Sequence, residues 1–68
     1  MYLYRFEITL NEGSYFAVVC ARDDETAFRL VDVELERHLI HLDHVHDVTL
    51  YEKKKIHNGA GFLLPASL

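Results

Sequence analysis

The stretch YLYRFEITLNEGSYFAVVCA, residues Tyr2–Ala21, has the pattern of two strands joined by a turn. Apart from Leu3, its first nine residues alternate between apolar and polar side chains, a period of two that is typical of a strand with one buried face. The apolar parity comprises Tyr2, Tyr4, Phe6, Ile8 and Leu10. Asn11–Ser14 then has turn chemistry, with Gly13 available for positive φ. Ser14–Ala21 is rich in valine and aromatic residues, as strands are. The stretch therefore predicts a β-hairpin.

An amphipathic helix is predicted after the hairpin, from about Asp24 to His41. Either Asp23 or Asp24 can cap its first backbone N–H groups, where an acid also favours the positive end of the helix dipole. At the helical period, one arc of roughly 120° has the usual width of a core-facing stripe. This arc contains Ala27, Phe28, Val31, Leu35 and Leu39.

A third strand is predicted over Val45–Lys54, with Val48 and Leu50 on one parity. Residues 56–65 contain a Gly-rich turn and a short apolar segment, which predicts either a short edge strand or a segment lying across the sheet. The order β-β-α-β(-β) predicts an α+β fold in which one long helix covers one face of an antiparallel sheet, as a two-layer single domain over residues 1–68. The predicted core comprises Phe6, Ile8, Val18, Phe28, Val31, Leu35 and Leu50.

Composition excludes several classes of protein. The 68 residues have room for one small core, and the 50% hydrophobic and 26% charged residues are typical of a globular chain. A net charge of −4 disfavours non-specific nucleic-acid binding. The single cysteine excludes an internal disulfide. The longest apolar run, Phe16–Ala21, is too short to span a membrane, and the start of the chain lacks the pattern of a secretory signal. We therefore expect a cytoplasmic protein without a membrane partner.

Three segments resemble a family of short, functionally uncharacterised proteins from Bacillus and related Gram-positive bacteria. They are MYLYRFE at residues 1–7, the helix residues Ala27-Phe28 with Val33–Glu36, and LYEKK at residues 50–54. The resemblance covers most of the chain. Because the family has no assigned activity, it implies no catalytic residue here, and a small α+β layout is shared by modules of many functions.

Four histidines lie within nine residues, at positions 38, 41, 44 and 46. Imidazole is the commonest metal ligand, and two histidines three residues apart on a helix can share one ion. His38, His41 and His44 are the candidate metal ligands. The alternative is a structural role, since histidines suit the negative end of a helix dipole.

Other reactive groups have plainer interpretations. Cys20 shares its parity with Phe16 and Val18, which favours a small core hydrophobe over a nucleophile. Lys53–Lys55 together with sheet-face aromatics suggests a single-strand nucleic-acid binder, but lysines also protect a sheet edge from pairing. The sequence indicates no catalytic residue, and we predict no cofactor and no enzymatic activity.

Apolar residues outside the predicted core favour self-association. The sheet face away from the helix is expected to hold Leu3, Tyr15, Val19 and Tyr51, and the back of the helix holds Leu30, Val33 and Ile40. Such a surface on so small a domain predicts a protein-interaction module that forms a homodimer. The sheet face is the preferred interface, the helix stripe the second, and pairing of strand edges the third. A nucleic-acid or regulatory adaptor using the open sheet face is the alternative function, followed by a metal-binding protein.

Overall fold

A computed structural model gives the structure of residues 1–11, 13–38 and 45–66. These residues form strand β1 (Tyr2–Leu10), strand β2 (Gly13–Ala21), helix α1 (Asp24–His38) and strand β3 (Val45–Lys55). The strands form one antiparallel sheet in the order β2-β1-β3, and α1 packs on one of its faces. The predicted α+β fold is confirmed. The predicted end of the helix at His41 lies outside the described residues.

The register of the hairpin sets which side chains of β2 face the helix. Leu10 lies opposite Gly13, and Tyr4 lies opposite Val19, so even-numbered residues of β1 share a face with odd-numbered residues of β2. Val19 is accordingly only 8% exposed, whereas Val18 is 45% exposed. The prediction of Val18 in the core is wrong, and so is the placement of Tyr15 and Val19 on the open face. Both parities of β2 are apolar, so its own periodicity could not choose between them.

The core lies between the even-numbered side of β1 and three positions of the helix. Its buried residues are Tyr4, Phe6, Ile8, Leu10, Val19, Ala21, Ala27, Val31 and Leu35. Leu50 packs against this cluster while partly exposed. Phe28 was predicted as a core residue but is 40% exposed, because it lies on the flank of the helix. Its ring still packs against the Phe6 ring in a T-shaped arrangement, with 4.9 Å between the centroids.

The helix begins with two adjacent acids that have different tasks. Asp23 is the cap: its Oδ1 accepts a hydrogen bond from the Thr26 backbone N–H at 2.8 Å, and this bond lowers the pKa of Asp23. Asp24 Oδ1 accepts hydrogen bonds from the Lys53 ammonium and the Tyr4 hydroxyl, each at 3.0 Å, which lower its pKa. Burial, reinforced by Asp24, raises the pKa of Tyr4 to about 12, so its hydroxyl remains a donor at neutral pH. The start of α1 is thereby tied to both β1 and β3.

The segment after β3 lies across the sheet instead of adding a strand among the described residues. The Ile56 N–H first donates to the Met1 carbonyl at 3.0 Å. The Lys54 ammonium then donates to the Gly61 carbonyl at 2.8 Å and lies 4.8 Å from the centre of the Phe62 ring. Of the two predicted courses for this segment, the second is confirmed. Within the described residues, no helix has the length and apolar character needed to cross a membrane.

Candidate functional site

The sheet face opposite the helix is organised around Arg5 on the central strand. Its guanidinium carbon lies 5.2 Å from the ring centre of Tyr51 and 5.9 Å from those of Phe16 and Phe62. It also forms an ion pair with Glu52 at 3.6 Å. Cation–π contacts of this kind stabilise a guanidinium that is partly removed from water. The face is therefore partly closed by the chain's own C-terminal segment.

Two of the four residues predicted on this face do lie there. Leu3 is opposite Cys20 on β2 and Lys54 on β3, which places it on the Arg5 side of the sheet. Tyr51 is 56% exposed and occupies a bulge, because Arg5 pairs with Glu52 while the next residue pairs with Leu50. A hydrogen bond to Glu7 raises the pKa of Tyr51.

The charges on this face do not favour a phosphate backbone. Besides Arg5 and Lys54, the register places Glu7, Asp47 and Glu52 on the same side of the sheet. Acids interleaved with the bases repel phosphate groups. The lysines are split as well, since Lys53 lies on the helix side at Asp24 while Lys54 lies on the other.

The candidate metal ligands are only partly within the described residues. His38 is exposed on the last turn of the helix, where its Nε2 lies 3.2 Å from Glu34 Oε2. His41 and His44, together with Ile40 of the predicted helix stripe, lie outside the described residues. His46 contacts the Asn11 side chain. In residues 1–11, 13–38 and 45–66, no three His, Cys, Asp or Glu side chains come together. The metal site stays a prediction.

Cys20 is exposed and does not belong to the core. Its position follows from the hairpin register, which turns even-numbered residues of β2 toward the open face. The prediction of a small core hydrophobe is therefore wrong.

The outer edge of β2 is a candidate binding surface that the sequence pattern alone did not predict. β2 has nine residues, and none of the residues from Gly13 to Ala21 carries a charge. Within the described residues, no strand pairs with this edge. An unpaired edge leaves a row of N–H and C=O groups ready to pair with another strand, and natural proteins usually guard it with charged side chains. β3, at the opposite edge of the sheet, has such guards: Asp47, Glu52, Lys53, Lys54 and Lys55.

The helix flank beside β2 adds side-chain surface to this edge. One groove of about 250 Å³ lies between the two elements and has a largely apolar lining that includes Tyr15, Ala17 and Leu35. A second, of about 390 Å³, includes Val19 and Leu30. Glu34 and His38 belong to both linings. We call the outer edge of β2 with these two grooves the β2-edge surface.

Each of the remaining predicted interface residues has a defined place. Tyr15 lines the first groove and is 51% exposed, and Val19 lines the second from the core side. Leu30 packs partly against the core while lining the second groove. Val33 is partly buried on the helix. Three of these residues thus border the β2-edge surface, although the sequence assigned them to two separate patches.

The uncharged character of β2 was visible in the sequence, in the apolar run Phe16–Ala21. Its importance was not visible, because an apolar strand at the centre of a sheet is ordinary. Only the order β2-β1-β3 places this strand at an edge.

Comparison with known proteins identifies one family, whose function is unknown. No curated protein and no solved structure matches the chain. One family model, described as "Protein of unknown function (DUF3906)", matches residues 1–64. The match includes all four elements of the fold and the β2-edge surface. The chain therefore belongs to the DUF3906 family of proteins of unknown function.

Proposed function

We propose that this chain is a protein-interaction module without catalytic activity, and that it acts as a homodimer in the cytoplasm. The observation that carries the proposal is the β2-edge surface, an uncharged edge strand bordered by one largely apolar groove and one groove of mixed polarity. Strand addition at such an edge supplies main-chain hydrogen bonds, and side-chain pockets beside it supply specificity.

Exposed apolar area supports association. Tyr15 and Val18 lie on the two faces of β2, and each leaves about half of its surface in water. A domain this small buries little apolar surface in its own core, so covering these side chains would add substantially to the apolar area that is removed from water. Burial contributes roughly 25 cal/mol per Å² of apolar surface. Association would therefore stabilise the fold as well as serve its function.

The distribution of shifted pKa values supports a role without catalysis. Enzyme sites gather groups whose pKa values are displaced by burial or by neighbouring charges in a cleft. Among the described residues, the groups with shifted pKa values are Tyr4, Asp23, Asp24 and Tyr51. Tyr4 and Asp24 hold the start of the helix on the sheet, Asp23 caps the helix, and Tyr51 hydrogen-bonds to Glu7 on the neighbouring strand. None of them lines the grooves described above.

The free thiol of Cys20 supports the proposed cytoplasmic location. Cys20 is exposed and is the only cysteine, so it has no intramolecular partner. Free exposed thiols persist in reducing compartments, whereas secreted small domains pair their cysteines.

Sedimentation velocity at micromolar concentration tests the proposal directly. A homodimer sediments at twice the 7.9 kDa mass of the chain, with a fraction that rises with concentration. A species that stays at 7.9 kDa across the whole concentration range would overturn the homodimer.

Two sets of variants then test the interfaces that the sequence favoured. Tyr51→Glu charges the open sheet face, and Leu30→Glu with Val33→Glu charges the helix. Release of monomers by Tyr51→Glu alone would assign the interface to the open face. Release by the helix pair alone would assign it to the helix side, which includes Leu30 of the β2-edge surface. Circular dichroism of each variant distinguishes dissociation from unfolding.

A further inference from the structure

We propose that the partner at the β2-edge surface is a second copy of this chain, whose β2 pairs antiparallel with this one about a two-fold axis at Ala17. The two three-stranded sheets then become one sheet of six strands, with both helices on the same face. This inference rests on the proposed function and gives it a geometry. An isologous contact of this kind closes at two copies and leaves the guarded β3 strands at the outer edges.

The asymmetry of the two sheet edges selects β2. Pairing through β3 would bring its acids and lysines together between the two strands. Charged side chains on an edge strand disfavour its pairing with a second strand. Pairing through β2 brings no charge into the new ladder, because residues 13–21 contain none.

The sequence of β2 is complementary to itself in this arrangement. With Ala17 on the axis, Tyr15 lies opposite Val19 of the second copy, and Phe16 lies opposite its Val18. Each of these is an aromatic residue against a β-branched one, a favourable type of cross-strand pair. The smallest apolar side chain of the strand's centre, Ala17, is the one that meets its own copy. The two members of each pair also lie on the same face of the sheet, since odd-numbered residues of β2 lie on the helix side and even-numbered residues on the open side.

The grooves beside the edge match the side chains that the second copy brings. The second groove is lined by Val19 and Leu30. Because Tyr15 of the second copy lies opposite Val19, its ring falls over this groove. Tyr15 is half exposed in the single chain, so the contact buries area that is otherwise in water. Stable interfaces bury more than about 1,000 Å² in total, which strand pairing reaches only with such side-chain contacts.

Charges on the helix flank also suit an antiparallel copy. Glu34 lies within 3.3 Å of Arg37 and 3.2 Å of His38 on the exposed side of α1. About the two-fold axis the two helices run in opposite directions, and each brings Glu34 and His38 to the grooves that include Ala17. Both signs are therefore available to each copy at the rim of the interface, where ion pairs favour register and encounter.

A cross-link tests the register. With Ala17 on the axis, Ser14 lies opposite Cys20 of the second copy. Ser14 is exposed, so Ser14→Cys leaves the core untouched. Within one chain, positions 14 and 20 are roughly 20 Å apart along the strand, too far for a disulfide. Between two antiparallel strands, directly opposite residues have Cα atoms within disulfide range.

The experiment is mild oxidation of the full-length Ser14→Cys chain, followed by non-reducing electrophoresis. The expected result is a covalent dimer that dithiothreitol returns to the monomer. Two controls are matched to it: the unmodified chain, whose two Cys20 thiols lie far apart across the axis, and Asp47→Cys, which adds an exposed thiol on the other edge. Neither control is expected to form the covalent dimer beyond a small background.

The outcomes separate the two proposals. A dimer by sedimentation that cross-links through Ser14→Cys alone supports both. A dimer by sedimentation without this cross-link overturns the edge geometry and leaves the homodimer standing. Equal cross-linking of Ser14→Cys and Asp47→Cys also overturns the geometry, because it indicates random collision. A monomer by sedimentation with no cross-link overturns both proposals.

Discussion

Phe28→Ala is expected to destabilise the fold by less than Phe6→Ala, although the sequence places both residues in the core. Truncating a fully buried phenylalanine costs about 3–5 kcal/mol. Phe6 is fully buried, so it should show that full cost. Phe28 is 40% exposed, so only about three-fifths of its surface is lost from water on folding. Scaled in this way, Phe28→Ala should cost about 2–3 kcal/mol, including its edge-on contact with Phe6.

Urea unfolding of both variants at one fixed protein concentration measures this difference. A fixed concentration is needed because association stabilises the folded state by mass action. The slope of the free energy against urea should stay the same, so that the midpoint reports stability. Because small domains have only about 5–15 kcal/mol of stability, Phe6→Leu serves as the milder variant if Phe6→Ala does not fold. A loss for Phe28→Ala as large as that for Phe6→Ala would refute the placement of Phe28 on the helix flank.

Three more predictions concern the turn, the helix start and the histidines. Gly13 has a φ of 140°, which side chains rarely adopt, so Gly13→Ala should cost about 1–3 kcal/mol in urea unfolding; an unchanged midpoint would contradict this backbone conformation. Because the fold lowers the pKa values of Asp23 and Asp24, their contribution to stability is present above the unfolded pKa of about 3.9 and is lost as pH falls through the lower folded values. Thermal unfolding between neutral pH and acid should show this loss, and Asp24→Asn should flatten it; a parallel curve for the variant would count against the contact. If the predicted histidine ligands hold a structural ion, a chelator at neutral pH should lower the melting temperature by the equivalent of several kcal/mol, whereas equal melting with and without chelator would remove the metal site.

The open sheet face is less available to a partner than the sequence indicated. Phe62 lies over Arg5 and Lys54, and the Lys54 ammonium binds the Gly61 carbonyl. These contacts use the cations that a single-stranded nucleic acid would need. Leu3 and Tyr51 remain predicted interface residues on this face, and Tyr51→Glu is the test of that prediction. The β2-edge surface has no comparable cover among the described residues, which is why the proposed dimer is placed there.

The type and order of the described elements were predictable from local pattern. Alternation in Tyr2–Leu10 buries one side of a strand wherever that strand lies in the sheet, and all its even-numbered residues from Tyr4 onward are buried. The helix start was predictable because an acid before an amphipathic segment caps free N–H groups in any context. Sequence could not choose between Asp23 and Asp24. That choice depends on Tyr4 and Lys53, which are distant in the chain and bind Asp24.

The face of β2, and with it the candidate site, was decided only by tertiary structure. β2 is apolar on both parities, so burial energy is similar for either orientation and the hairpin register makes the choice. The sequence likewise could not show that β2 lies at an edge, since strand order depends on how β3 returns to pair with β1. An uncharged strand is ordinary at the centre of a sheet and exceptional at its edge, because only there do its N–H and C=O groups lack partners. The sequence determined the strands and the helix through short-range periodicity, whereas pairing between distant segments determined which surface is left to bind another chain.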